Sequence, residues 1–185
     1  MNAVNAPGVV CLGFFDGVHR GHLSLLRAAK DIAREQGLTV YAHTFDRAPG
    51  EKDFALTTLE EREALLRAAG ADRVAVSAFS EEMRRMRGDD FFRYVVLGRL
   101  NARHVVCGDD HRFGYRGAWG VKELEALCRE NGVGLTVCPP VSLPDGTRVS
   151  STAIRRAILA GNAALAEEML GRPLSPRLWE MVNQR

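Results

Sequence analysis

The stretch VVCLGFFDGVHRGH, residues 9–22, decides the fold of this chain. Its apolar start predicts a β-strand, its glycines predict a turn, and a helix is predicted to begin at about His22. Such a loop ends at a helix N-terminus, where free backbone N–H groups and the helix dipole attract phosphate. His19 and His22 are three residues apart and share one face of a first helical turn. Two imidazoles there can stabilise charge during phosphoryl or nucleotidyl transfer, although the pair can also be two surface histidines after a turn.

The composition is typical of a globular protein of one domain. The 185 residues are 46% hydrophobic and 26% charged, and 25 basic against 23 acidic residues give a net charge of +2. This balance does not indicate a nucleic-acid surface. No run approaches the ~20 apolar residues of a membrane span, and the N-terminus lacks the basic region of a signal peptide. We therefore expect neither a nucleic-acid nor a membrane partner.

The cysteines indicate the redox compartment. The four of them, at positions 11, 107, 128 and 138, show no C-x-x-C spacing, and three lie in apolar runs typical of strands. We expect small buried hydrophobic residues rather than zinc ligands or disulfides, as in a reducing compartment. The predicted location is cytoplasmic.

Short apolar runs alternate with amphipathic stretches along the chain. Strands are predicted at 9–14, 38–45, 73–79, 104–107 and 134–138. Helices are predicted at about 22–36, 58–70, 89–100, 119–131, 151–160 and 162–170, the second opened by the capping box Thr58-x-x-Glu61. This order implies an α/β fold with a doubly wound, mainly parallel five-stranded sheet. Ligands of such sheets bind at the carboxyl ends of the strands.

The stretch VSSTAIRR, residues 149–156, supplies a second candidate phosphate site. Ser150, Ser151 and Thr152 precede a helix, and one hydroxyl would be enough to cap it. The other hydroxyls and the backbone N–H groups are then available to phosphate, and Arg155, one turn later, can add a charged contact. Ordinary helix capping is the alternative interpretation.

The loop GDDHRFGYRG, residues 108–117, follows the fourth predicted strand. Its glycines, carboxylates and aromatic side chains suit a planar ligand with a polar ring edge. A plain surface loop that uses Asp and Gly for its turns is the alternative.

Together these residues resemble the FMN adenylyltransferase domain of the bacterial bifunctional riboflavin kinase/FAD synthetases, within the nucleotidyltransferase superfamily that carries H-x-G-H. The resemblance runs from about Gly13 to Pro173. It includes GFFDGVHRGH at 13–22, LT at 56–57, DDHRFG at 109–114, VSSTAIR at 149–155 and LGRP at 170–173. Pantetheine-phosphate adenylyltransferases, cytidylyltransferases and class I aminoacyl-tRNA synthetases fit these motifs less well. The resemblance implies a Rossmann-like nucleotidyltransferase fold over one domain, 1–185, with a short tail at 174–185.

The resemblance also implies a reaction and a set of site residues. The phosphate of FMN would attack the α-phosphorus of ATP, giving FAD, while pyrophosphate leaves with Mg²⁺. The implied catalytic residues are His19, His22 and Arg155. The implied ATP-binding residues are Gly13, Phe14, Phe15, Asp16, Gly17, Gly21, Gly108, Ser150, Ser151 and Thr152. Thr44, Asp110 and Phe113 would bind the flavin. The metal ligands are not identified, and Asp16 and Asp46 are candidates that can equally be turn residues.

Two departures from the family pattern stand out. After the second strand the family commonly has T-F-x-P-H-P, whereas residues 44–49 read TFDRAP and lack the histidine and the first proline. The family also continues into a riboflavin kinase barrel, whereas this sequence ends at Arg185, so we expect no kinase domain and a separate riboflavin kinase supplying FMN. A truncated chain, a catalytically degenerate paralogue that only binds flavin or nucleotide, and an adenylyltransferase with another phosphate acceptor stay open as alternatives.

Overall fold

Five parallel strands form the centre of the fold. The computed structural model describes residues 6–50 and 53–183. The strands are β1 (Gly8–Leu12), β2 (Thr39–Phe45), β3 (Arg73–Ser77), β4 (Ala102–Gly108) and β5 (Gly134–Cys138). They pair in the order β3-β2-β1-β4-β5, every pair parallel, which confirms the predicted α/β sheet.

Helices cover both faces of the sheet and one end of it. They are α1 (Arg20–Gln36), α2 (Leu59–Ala68), α3 (Glu81–Arg85), α4 (Gly88–Asp90, continued by a π-helical segment, Phe91–Arg99), α5 (Val121–Glu130), α6 (Ser151–Leu159), α7 (Ala163–Leu170) and α8 (Pro176–Asn183). The Thr58–Glu61 capping box of α2 is confirmed by reciprocal hydrogen bonds of 3.1 and 2.8 Å. Among the described residues, no helix is long and apolar enough to cross a membrane.

The alternation of side chains in β1 explains the double winding. Val9 and Cys11 belong to the apolar cluster that contains α1 and α2, whereas Val10 and Leu12 belong to the cluster that contains the π-helical segment and α5. All four side chains are buried, because a central parallel strand has helices on both faces. A third apolar cluster joins α6, α7 and α8 to Leu56.

Some predicted helix boundaries were wrong. The helix predicted from Trp119 begins at Val121, because Trp119 instead forms an antiparallel bridge with Phe113. The predicted helix 89–100 is largely π-helical, with the Leu100 N–H donating to the carbonyl of Val95 at 2.9 Å. Helices α3 and α8 were not predicted.

The sheet order places two loops side by side. β1 and β4 are neighbours, while the connections that follow them lead to opposite edges of the sheet. In open α/β sheets this switch point leaves a crevice at the carboxyl ends of the strands. The loops that follow β1 and β4 therefore border the same crevice.

Candidate active site

Two adjoining cavities occupy the crevice. The first has a volume of about 420 Å³ and is bounded by the loops after β1, β4 and β5 and by the start of α6. The second has about 550 Å³ and extends under β2, α3 and the loop after β4. Five residues line both cavities and form what we call the shared wall: Leu12, Gly13, Phe14, His111 and Arg112. A ligand with two parts could therefore occupy both.

Most predicted site residues meet at the first cavity. Of those predicted to act in catalysis or to bind ATP, all but Gly17 line it: His19, His22, Arg155, Gly13, Phe14, Phe15, Asp16, Gly21, Gly108, Ser150, Ser151 and Thr152. The predicted flavin residues are divided, since Asp110 lines the first cavity and Phe113 the second. Thr44 lines neither: it is fully buried and donates its hydroxyl hydrogen to the carbonyl of Phe14 at 2.7 Å.

The two histidines of the β1–α1 loop form a stacked pair. Their ring centroids lie 3.6 Å apart at an interplanar angle of 19°. His19 precedes the first residue of α1, and its backbone N–H donates to Nδ1 of His22 at 3.3 Å. A neutral His22 whose Nδ1 accepts a hydrogen bond must carry its proton on Nε2. The loop therefore supplies a histidine N–H donor of fixed tautomer at the cavity wall.

Both histidines of the pair are neutral at pH 7. Burial lowers the pKa of His19 to about 4, with Asp16 opposing the shift and Arg172 reinforcing it. Burial, followed by the neighbouring His19 and Arg172, holds the pKa of His22 well below its usual range. The buried Nδ1 of His19 has no hydrogen-bond partner among the described residues. A negatively charged ligand here would favour protonation of the pair and so raise both pKa values.

Asp16 joins three parts of the chain below this loop. Its Oδ1 accepts hydrogen bonds from the backbone N–H and the hydroxyl of Thr57, at 3.1 and 3.2 Å, and its Oδ2 is paired with the guanidinium of Arg155. Arg155 also donates from Nε to the carbonyl of Phe54 at 2.7 Å. Asp16 and Arg155 are both buried, which charged groups tolerate only when paired.

This ion pair changes the interpretation of both partners. Arg155 was expected to hold phosphates, but its guanidinium is bound to Asp16 because a buried cation needs an anion beside it. Asp16 was a candidate metal ligand, but both of its carboxylate oxygens are bonded within the chain. Asp46, the other candidate, accepts the backbone N–H of Phe79 at 2.8 Å, a bond between the segments that follow β2 and β3. The described residues contain no group of three side chains arranged to hold a metal ion.

The start of α6 differs from the expectation of several available hydroxyls. Ser150 caps the helix, its Oγ accepting the N–H of Ala153 at 3.1 Å. Ser151 donates its hydroxyl hydrogen to the carbonyl of Asp16 at 2.9 Å. Of the three hydroxyls, only that of the exposed Thr152 has no partner among the described residues. The backbone N–H groups of Ser151 and Thr152 have no partner among these residues either. The anion-binding groups at this helix start are therefore two N–H groups and one hydroxyl.

The β1–α1 loop has a strained backbone that other segments hold in place. Phe15 and Val18 have positive φ angles of 58° and 40°, which are unfavourable for a bulky and for a β-branched residue. Gly17, at φ 81°, donates its N–H to Thr57 Oγ1 at 3.1 Å. Arg172 donates to the carbonyls of Gly17 and Val18 at 2.6 and 3.1 Å. Thr57 and Arg172 lie in the quoted LT and LGRP motifs, yet sequence reasoning gave them no role.

The second cavity is mainly apolar and aromatic. Its lining includes Phe45, Phe79, Met83, Met86, Phe91 and Phe113. Such a wall suits a flat aromatic ligand. Phe14, which lines both cavities, has the guanidinium of Arg62 at 4.3 Å from its ring centroid, a cation–π contact that holds this ring in place.

His43 is a polar residue of this cavity that the sequence analysis missed. It lies at the end of β2, and its Nε2 is 2.9 Å from Ser77 Oγ, which also accepts a hydrogen bond from Arg99 at 3.0 Å. Burial, followed by the nearby Arg99 and His111, lowers the pKa of His43 to about 3. No sequence signal distinguished it, because a histidine inside an apolar strand is usually a satisfied core residue.

These buried neutral histidines predict acid sensitivity. An unfolded histidine has a pKa near 6.5, whereas the folded values for His19 and His43 are about 4 and about 3. The unfolded chain therefore binds protons first, so stability is fully present above pH 6.5 and falls as the pH drops toward 4. We expect each of the two to lower the free energy of unfolding by about 1–2 kcal/mol between pH 7 and pH 5.

Denaturant unfolding at pH 7 and pH 5 measures this decrease in the free energy of unfolding. The decrease should be smaller in a His43→Met variant, which lacks one of the buried imidazoles. Equal stability of the wild type at the two pH values would contradict the prediction.

Comparisons with known proteins agree with this geometry. The FAD synthetase family profile matches residues 1–153. The bifunctional riboflavin kinase/FMN adenylyltransferase of Pseudomonas fluorescens is 35% identical over 171 residues, covering 89% of this chain and 54% of the relative. The protein of the same name from Escherichia coli (strain K12) is 33% identical, covering 90% and 55%. A Geobacillus thermodenitrificans protein named for the same two activities is 37% identical, covering 91% and 93%. The chain thus spans about half the length of the Pseudomonas fluorescens and Escherichia coli relatives.

Solved structures give the same picture of the fold. The crystal structure of a macrolide-efflux protein from Streptococcus pneumoniae superposes with a TM-score of 0.82 at 31% identity, covering 93% of this chain and 57% of that one. A pantoate-beta-alanine ligase from Francisella tularensis, complexed with beta-gamma ATP and beta-alanine, has a TM-score of 0.55 at 14% identity. The second similarity concerns the fold alone.

Proposed function

The chain belongs to the FAD synthetase family, and we propose that it transfers AMP from ATP to FMN, giving FAD and pyrophosphate. The observation that carries the proposal is the pair of adjoining cavities, one bordered by two helix N-termini and the other by aromatic side chains. The two substrates have this same division of chemistry, since ATP brings phosphates and FMN brings a flat ring.

The first cavity is proposed to hold the nucleotide. The starts of α1 and α6 both line it, so two sets of helix N-terminal groups are available to phosphate oxygens. Thr152 and the N–H groups of Ser151 and Thr152 suit the pyrophosphate that leaves. The Asp16–Arg155 pair joins α6 to the β1–α1 loop and so keeps the two helix starts at a fixed separation.

The proposed chemistry is an in-line displacement at phosphorus. An oxygen of the FMN phosphate forms a bond to the α-phosphorus of ATP, and the bond from that phosphorus to the bridging oxygen of pyrophosphate breaks. No covalent enzyme intermediate is required, so catalysis rests on positioning and on stabilising the charge that develops on phosphate oxygens. The Nε2–H of His22 is proposed to donate to one of these oxygens, with His19 stacked against it.

Magnesium is proposed to enter as part of the MgATP substrate. The described residues contain no ready-made metal site, and Mg²⁺ commonly binds through substrate phosphates and water with few protein ligands. FMN would come from a riboflavin kinase, an activity named in the relatives. The four buried free cysteines agree with a cytoplasmic location, which is part of this proposal.

Incubation of the purified protein with FMN, ATP and magnesium, followed by chromatography, tests the function. We expect FAD and pyrophosphate in equal amounts. A folded protein that forms no FAD would contradict the proposal. A search for another phosphate acceptor would then be justified by the 44–49 loop, whose Pro49 lines the second cavity.

A further inference from the structure

His111 occupies a position that none of the roles above explains. It lies in the loop after β4 and lines both cavities. Its ring is stacked on Phe113, with centroids 5.7 Å apart and an interplanar angle of 15°. Its backbone N–H donates to the carbonyl of Gly108 at 3.2 Å, which fixes the turn that carries it. Phe113 therefore packs against the ring, and the backbone bond fixes the turn that carries it.

The Nε2 atom of His111 is buried and has no hydrogen-bond partner among the described residues. A buried polar group without a partner is unfavourable, and in native structures it commonly marks a place where a ligand or water completes the bond. By contrast, Nε2 of the neighbouring His43 is already engaged by Ser77. His111 is thus the histidine of the second cavity whose bonding is incomplete.

The junction between the cavities limits what such a bond can reach. Under the proposed function, the flavin ring lies in the second cavity and the reacting α-phosphorus of ATP in the first. The phosphate of FMN must then lie between them, at the shared wall. Of the five residues of that wall only His111 and Arg112 have polar side chains. One supplies a neutral donor and the other a positive charge, a combination that suits a phosphomonoester.

We propose that His111 is a specificity residue whose Nε2–H binds the phosphate of the acceptor and so distinguishes FMN from riboflavin, an inference that rests on the proposed function. Its surroundings agree with a neutral donor. Burial lowers the pKa of His111 to about 4, and the nearby Asp110 opposes that shift. Asp110 shares the guanidinium of Arg148 with Asp109, at 3.0 and 2.7 Å, and its side chain is 74% exposed, so Arg148 and water both screen its charge from an arriving anion.

Equilibrium titration with FMN and with riboflavin, followed by flavin fluorescence, tests this role. His111→Phe keeps a ring that can stack on Phe113 but removes the donor, whereas His111→Gln keeps a side-chain N–H at similar reach. We expect His111→Phe to weaken FMN binding about tenfold or more, as for the loss of a hydrogen bond to a charged group. Riboflavin binding should change less than about twofold, and His111→Gln should retain most of the preference for FMN.

The matched control is His104→Phe. It removes an imidazole bond to Thr136 (2.8 Å) from β4, outside both cavities, and should leave the FMN-to-riboflavin ratio unchanged. If His111→Phe weakened the binding of FMN and of riboflavin equally, the ring would only pack the shared wall. If it weakened the binding of neither, His111 would make no contact with the flavin phosphate. Either result overturns the inference while FAD formation by the wild type still supports the function. A wild type that neither binds FMN nor forms FAD overturns both.

Discussion

Replacement of His22 by alanine is expected to lower kcat for FAD formation by about 10²–10³-fold, the usual cost of losing one donor that stabilises a developing oxyanion. His22 is chosen because the hydrogen bond from His19 N–H to its Nδ1 fixes its proton on Nε2. The substitution removes this donor and the stacking partner of His19 together. Steady-state kinetics at saturating FMN and MgATP measure the effect.

The controls separate chemistry from folding. Arg156→Ala removes an exposed charge on α6 that lines neither cavity, and kcat should stay within about twofold of the wild type. His22→Gln keeps an N–H donor and should retain more activity than His22→Ala. The thermal midpoint of each variant should be recorded beside its rate. A folded His22→Ala protein with nearly wild-type kcat would exclude His22 from the charge stabilisation proposed for it.

Replacement of Asp16 by asparagine is expected to lower the free energy of unfolding by about 3–5 kcal/mol, the cost of leaving one partner of a buried ion pair alone. Asparagine has nearly the same shape and can still accept the bonds from Thr57, so the main loss is the charge facing Arg155. The side chains of Arg155 and Asp16 are only 6% and 2% exposed, so water cannot solvate the guanidinium that remains after the substitution. Denaturant unfolding at pH 7 measures the difference.

Two comparisons make this second result specific. The double replacement Asp16→Asn with Arg155→Met removes both charges and should be less destabilising than the sum of the single changes. Asp31→Asn breaks an exposed pair with Arg34 and should cost less than about 1 kcal/mol. If Asp16→Asn were no more destabilising than Asp31→Asn, the buried pair would not hold α6 to the β1–α1 loop.

The parts of the site predicted from sequence are those with local causes. The H-x-G-H pair follows a strand and opens a helix, so its spacing alone placed both rings on one helical turn. The capping box at Thr58 was predicted for the same reason, since it depends on neighbours within a few residues. Local bonding rules need no knowledge of the rest of the chain.

The roles of Arg155 and His111 could not be predicted in this way. Arg155 and Asp16 are 139 residues apart in the sequence, and neither motif indicates that they are in contact. As a result, a guanidinium expected at the phosphates is committed to a carboxylate. His111 was quoted within a motif, but its incomplete bonding became visible only once two cavities met at its ring.

The sequence by itself determined the α/β class, the five parallel strands and the loops at their carboxyl ends, because periodicity and turn chemistry act over short distances. It also determined the family, because its motifs occur in a specific order. Only the tertiary structure decided which polar groups are available to a ligand and which are consumed within the chain. A buried charge or hydroxyl is unfavourable without a hydrogen-bond or ion-pair partner, and the packing of distant segments decides which group becomes that partner.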